Sequence, residues 1–238
     1  MKKSLAIITA RGGSKRIPRK NIKPFLGKPI INYSIEAAIQ SGCFDEVMVS
    51  TDDDEIAAIA VLAGAAVPFK RSKQNADDHS TTADVITEVL NQYINNRQNF
   101  DIACCIYPTA PFVTPAKLKL AHQKLIATNA KAVVPVVRFG FPILRSIKME
   151  NELVSMNWPE YLNTRSQDLP PAFHDAGQFY FFQVDNFLNE KKVFTDNTIG
   201  IEMPESEVQD IDNKEDWEIA EMKYTMLLKN KKEIHELL

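Results

Sequence analysis

The chain predicts an α/β fold, a three-layer, doubly wound and mainly parallel sheet. Three observations carry this: short apolar runs that need burial on both faces, helical periods alternating with them, and a glycine-containing cationic loop directly after the first run. At 238 residues, 45% hydrophobic and 25% charged, the chain is long enough for one such domain with a small lobe attached.

Ser4–Thr9 is a continuous apolar run of the kind a covered parallel strand needs, which makes the residues after it a strand-exit loop. Pro29 suits a first helical turn, Ile31, Ile35, Ala38 and Ile39 follow at helical spacing, and Gly42 stops the helix. A strand at Glu46–Ser50 runs into Asp52-Asp53-Asp54, which can cap an alanine-rich helix ending near Gly64. Residues 67–69 read as a further strand, and 81–97 as a helix. A strand over 102–107, a helix over Pro115–Thr128 and a strand over 132–137 continue the alternation. Between 139 and 176 four prolines and the loss of any helical period mark an inserted lobe. This divides the chain into a core of 1–138 and 177–238 and a lobe of 139–176. Strands return at 178–184 and 198–203, and a closing helix carries Trp217, Ala220, Tyr224 and Leu227 as a stripe expected to dock on the sheet.

A net charge of −3 gives no overall drive toward nucleic acid or anionic membrane, so local basic clusters need local explanations. No apolar run approaches the roughly 20 residues that span a bilayer, and the start of the chain leads into a strand without a signal-like cleavage site, which predicts a cytoplasmic enzyme. Cys43, Cys104 and Cys105 match no disulfide or metal spacing and read as thiols in a reducing compartment. The Lys229-Asn-Lys-Lys-Glu tail reads as a solvated helix end.

Arg11-Gly-Gly-Ser-Lys-Arg-Ile-Pro-Arg-Lys-Asn21 packs five cations and two glycines into eleven residues. Paired glycines let bare amides approach a ligand, and the cations supply charge-assisted bonds to phosphate oxygens. Ligands of doubly wound sheets bind beyond the carboxyl ends of the strands, so a polyphosphate is the natural guest of this loop. The spacing fits neither a Walker loop nor a dinucleotide fingerprint.

The stretch Ala10 to Asn21 resembles the signature of CMP-sialic acid synthetases. Further matches follow in order: Val49-Ser-Thr-Asp-Asp53, Arg71, Ala76-Asp-Asp-His79, Pro108-Thr-Ala-Pro111 and Asp210-Ile-Asp212. Arg165-Ser-Gln-Asp-Leu-Pro170 and His174-Asp-Ala-Gly-Gln-Phe-Tyr180 resemble the pseudaminic acid cytidylyltransferase branch. The resemblance implies a nucleotide-diphospho-sugar transferase-like fold whose lobe is a dimerisation arm that reaches across to close the neighbour's sugar pocket, hence a homodimer. The implied reaction is attack of a nonulosonic acid's anomeric C2 hydroxyl on the α-phosphorus of CTP, with magnesium, or manganese in its place, as cofactor.

By the same resemblance Lys20 and Arg11 hold the triphosphate, helped by Ala10, Gly12, Gly13, Ser14 and Lys15. Asn21 and Arg71 address ribose and cytosine; Thr82 is a hydroxyl near the phosphates or simply a helix-start residue, and Asp52 a site residue or only a cap. Arg165 would clamp the sugar carboxylate, with His174, Asp175 and Gln178 in the same branch-specific segment; His174 is a general base or a structural histidine. Asp210 and Asp212 alternate along an extended segment, so with Ile211 turned away both carboxylates can share one magnesium. Where N-acetylneuraminate enzymes carry Gln before Pro-Thr, this chain has Tyr107, a sugar contact or plain core. That favours pseudaminic acid over N-acetylneuraminate, with legionaminate and the eight-carbon Kdo as rival sugars. Rivals of another class are a CTP-binding module without turnover, against which the intact Lys20, Asp210 and Asp212 argue, and a nucleic-acid binder, against which the acidic remainder argues.

Overall fold

The protein, a computed structural model, is described over residues 2–77 and 80–236. Asp78 and His79 of the 76–79 motif lie outside the described residues. The chain begins with β1 (Ser4–Thr9), a small hairpin of β2 (Pro24–Phe25) and β3 (Lys28–Pro29), and α1 (Ile30–Ser41). Next come β4 (Glu46–Ser50), α2 (Asp54–Leu62), α3 (Thr82–Asn95), β5 (Ile102–Ile106), α4 (Pro115–Thr128) and β6 (Ala132–Arg138). The hairpin β7 (Ile147–Glu150) and β8 (Leu153–Met156) precedes β9 (Phe173–Asp175), β10 (Phe179–Gln183), α5 (Val184–Glu190), β11 (Thr198–Glu202) and α6 (Lys214–Glu236).

Among the described residues seven strands form one sheet in the order β11-β6-β10-β5-β1-β4, with β9 also on β6. β1 runs parallel to β4 and β5, and β11 parallel to β6. Side chains of β1 alternate between two cores, as a doubly covered strand requires. Ala6 and Ile8 pack with α1, α2 and α4, while Leu5 and Ile7 pack with α3 and α5. Each such isoleucine is fully buried, a burial that stabilises by about 1.5–3 kcal/mol.

Two expectations gain detail and two change. β10 is antiparallel to both β5 and β6. Residues 67–69 form no strand; only Ala66 bridges Met48, and Pro68 has no N–H for a ladder. The segment 139–176 rejoins the main sheet before its end, because β9 pairs with β6 from Val136 to Arg138. The α6 stripe docks on Phe25, Ile30, Tyr33 and Phe112 rather than on the sheet, with Phe25 edge-on to both Tyr33 and Trp217.

Candidate active site

The cationic loop leaves β1 at its carboxyl end and is pinned by the two aspartates that follow β4. Gly12 N–H donates to Asp52 Oδ1 at 2.9 Å, and a Cβ on Gly12 would stand 2.8 Å from Asp53 Oδ2, so only glycine fits. Arg19, held at φ +56, forks onto both Asp53 oxygens at 2.5 and 3.0 Å. Asp53 also caps α2 by accepting the Glu55 and Ile56 amides. The Arg19 hydrogen bond, opposed by burial and reinforced by those amides, holds its carboxyl down at about 2. Asp53 is therefore the cap, and Asp52 instead fixes a loop amide. Asn21 is buried and donates to Arg11 O at 2.9 Å, which closes the loop on itself.

A trough runs across the carboxyl ends of β1 and β5, built of adjoining cavities of about 230, 490 and 500 Å³. Thr9 and Arg11 line the first two, and Tyr107 lines the second and third. The first holds Arg71 and Thr82. Arg71 is buried, donates twice to Ser50 at 3.0 and 2.6 Å, and has its pKa lowered by desolvation. Thr81 supplies the cap of α3, which leaves the Thr82 hydroxyl 3.4 Å from that of Tyr107. The middle cavity is the cationic one, lined by Arg11, Ser14, Lys15, Arg16, Lys20 and Asn21.

The third cavity begins at Asp210. Ile211 is buried, so Asp210 and Asp212 flank it as the alternation requires. Burial, then the Asp212 charge, raises the Asp210 pKa against the pull of Lys20. Arg16 reaches Asp212 at 2.7 Å and Lys20 stands 3.9 Å from it. Among the described residues no three His, Cys, Asp or Glu side chains converge as a complete metal cage. Two carboxylates next to a cationic pocket nevertheless have the oxygen-donor chemistry that suits a hard cation. At the far end Asp175 accepts from Tyr180 Oη at 2.7 Å, and the Tyr180 ring meets Tyr107 edge-on at 5.5 Å. Burial, above all, raises the pKa of both phenols. His174 Nδ1 lies 2.9 Å from Asp175 O.

Residues 5–234 match the sequence model of the Cytidylyltransferase family. The chain belongs to that family. It is 43% identical over 223 residues to the pseudaminic acid cytidylyltransferase of Campylobacter jejuni subsp. jejuni, covering 93% of this chain and 96% of that one. It is 34% identical to the CMP-N,N'-diacetyllegionaminic acid synthase of Legionella pneumophila, covering 91% and 94%. A CMP:2-keto-3-deoxy-manno-octonic acid synthetase solved in complex with CTP superposes with a TM-score of 0.67 at 16% identity, over 95% of this chain and 99% of that one, which shows the shared fold.

In this cytidylyltransferase the trough gathers Arg11, Ser14, Lys15, Lys20, Asn21, Arg71, Thr82, Tyr107, His174, Asp175 and Asp210 along its walls. Ala10 and Gly12 shape the loop from behind: Ala10 N–H donates to Ser50 O at 2.9 Å. Two expected sugar contacts stand elsewhere. Arg165 lies on an exposed turn of the lobe and forks onto Asp168 three residues on, at 2.7 and 3.1 Å, because that turn brings their side chains together outside the trough. Gln178 is buried and donates to Glu207 O at 2.8 Å, which makes it a brace for the segment leading to Asp210. Sequence reading missed Arg16, Tyr180 and Lys223. Arg16 and Tyr180 lay inside motifs already quoted, whereas Lys223 stands within a helix whose pattern points only to packing.

Proposed function

We propose that this cytidylyltransferase transfers CMP from CTP to the anomeric C2 hydroxyl of a nonulosonic acid, pseudaminic acid, releasing pyrophosphate. The observation that carries the reading is the continuity of the trough. A pocket with a buried arginine, a cationic loop and an acidic, hydroxyl-rich pocket follow one another through Thr9, Arg11 and Tyr107. Cytidine, triphosphate and sugar need these chemistries in this order. The similarity to the Campylobacter enzyme supports pseudaminic acid as the sugar.

In this reading Arg71 and Thr82 receive the nucleoside end, and the loop amides with Arg11, Lys15 and Lys20 neutralise charge on the triphosphate. The sugar oxygen bonds to the α-phosphorus, and the bond to the β-phosphate's bridging oxygen breaks, with pyrophosphate leaving against Lys20 and Arg11. A carbonyl only accepts, so the His174 Nδ1–H donates to Asp175 O and its Nε2 keeps a lone pair for the hydroxyl proton. Asp210 and Asp212 would hold magnesium, or manganese, which would supply positive charge to offset the charge of the triphosphate. The exposed apolar side chains Ile147, Met149, Leu153 and Val154 of the β7-β8 hairpin support a homodimer formed through the lobe. Free thiols at Cys43, Cys104 and Cys105 suit the cytoplasm.

The test is pyrophosphate release from CTP against pseudaminic acid, N,N'-diacetyllegionaminic acid, N-acetylneuraminic acid and Kdo. The highest kcat/KM is expected for pseudaminic acid. Release with none of the four would remove the transferase reading, and a preference for another sugar would move the assignment to it.

A further inference from the structure

The acceptor of the proposed reaction is an acid, yet the pocket that would take it is lined by three carboxylates, Asp175, Glu205 and Asp210. An anion entering such a pocket needs a cation at hydrogen-bond range. Arg165, the residue expected to supply it, pairs with Asp168 on the outside of the lobe. Among the described residues lining this end of the trough, Lys223 is the only lysine or arginine.

Lys223 projects from α6, far in sequence from the other sugar-end residues, and its ammonium is held in place. It donates to Val208 O at 2.8 Å and to Glu205 O at 3.2 Å. An ammonium has three donors, so these two bonds fix its position while one N–H remains for the cavity. The same two carbonyls belong to the segment that leads into Asp210, so this cation sits between the sugar pocket and the carboxylate pair.

We propose that Lys223 binds the carboxylate of the acidic sugar and so selects acidic acceptors over neutral ones. The assignment rests on the transferase reading above, and it gives α6 a substrate contact beyond its packing role.

Lys223→Met, which keeps the stem, and Lys223→Gln, which keeps a donor for the carbonyls, are to be compared with the wild-type protein. Initial rates are taken with pseudaminic acid varied at saturating CTP and then with CTP varied. Loss of a charge-assisted hydrogen bond to a charged ligand is expected to raise the sugar KM about ten- to hundredfold. The CTP KM should stay within about twofold, and the sugar's carboxamide should show no matching loss between wild type and variant. A structural role alone would move the CTP and sugar constants together and affect acid and amide equally, and that pattern in whichever variant folds overturns the proposal. So does a sugar KM within twofold of the wild type. A wild-type protein inert toward every acidic sugar would remove the transferase reading itself, which is a separate result from an active wild type with indifferent variants.

Discussion

Lys20 donates to the Ile211 carbonyl oxygen at 2.6 Å, so one ammonium fastens the cationic loop after β1 to the segment that carries Asp210 and Asp212. Residues nearly two hundred positions apart are thereby brought into contact beside the cationic cavity that Lys20 lines. Desolvation lowers the Lys20 pKa while Asp212 and Asp210 oppose the shift, which describes a cation held without the full screening of water. Such a group interacts more strongly with transferring phosphate than an exposed lysine does.

Lys20→Ala is expected to cut kcat/KM by at least about a hundredfold, the scale of losing one preorganised charge-stabilising donor. Pyrophosphate release measures it, and circular dichroism checks that the fold is kept. Turnover near that of the wild type in a folded variant would take Lys20 out of the mechanism.

The raised pKa of Asp210 makes a prediction about stability as well as activity. A carboxyl whose folded pKa lies above its unfolded one binds more protons when folded. Its ionisation therefore lowers stability as pH rises from the unfolded value through the folded one, and the cost persists at neutral pH. Asp210→Asn should raise the Tm of the metal-free protein at pH 7 and shrink the further rise produced by magnesium, while Asp212→Ala should make turnover demand far more magnesium. Thermal melts with and without the ion read the first effect, and metal titrations of activity the second. A Tm response to magnesium equal to the wild type's in Asp210→Asn would exclude that carboxylate as a ligand.

Much of this architecture was legible because it is written in local spacing. The apolar run of β1, the glycine pair and the cations after it stand within eighteen residues, and that proximity is enough to place a phosphate loop. What local pattern does not encode is strand direction and long-range docking. Phe179–Gln183 reads the same whether it lies parallel or antiparallel to β5, since both cores take its side chains. The Trp217 to Leu227 stripe shows that α6 docks without showing on what, so the Lys223 contact with the trough stayed out of sight. Arg165 illustrates the converse: family position implies a sugar contact, while within this chain its guanidinium pairs with Asp168 three residues on.

The pinning of the loop by Asp53 is open to a paired test. Asp53→Ala removes the cap of α2 and the partner of Arg19, for a loss of roughly 1–2 kcal/mol in unfolding free energy. In the wild type that contribution should fade as pH falls from about 4 toward about 2, because the folded carboxyl titrates near 2 and an unperturbed Asp near 3.9. Gly12→Ala meets Asp53 Oδ2 at 2.8 Å and must push the loop outward, so its effect should fall on the CTP KM, about tenfold or more, with little change in the sugar KM. Urea melts across pH and steady-state kinetics separate the two. An unchanged CTP KM for Gly12→Ala would mean that the loop's close approach to Asp53 is irrelevant to nucleotide binding.

His174 supplies the sharpest test of how the acceptor hydroxyl is activated. The carbonyl of Asp175 can only accept, so the 2.9 Å contact puts a proton on Nδ1 and, in the neutral ring, the lone pair on Nε2. The ring is further oriented by Phe139, 5.0 Å away, and shares the sugar end of the trough with Asp175 and Asp210. A positioned base of this kind contributes about 10²–10⁴ in rate. His174→Gln keeps a donor for the Asp175 carbonyl but brings no comparably basic nitrogen. It should lower kcat by at least about a hundredfold while the CTP KM stays put, and added imidazole should restore part of the rate. A kcat within twofold of the wild type would show that the hydroxyl proton leaves by another route, and would reduce His174 to a residue that shapes the rim.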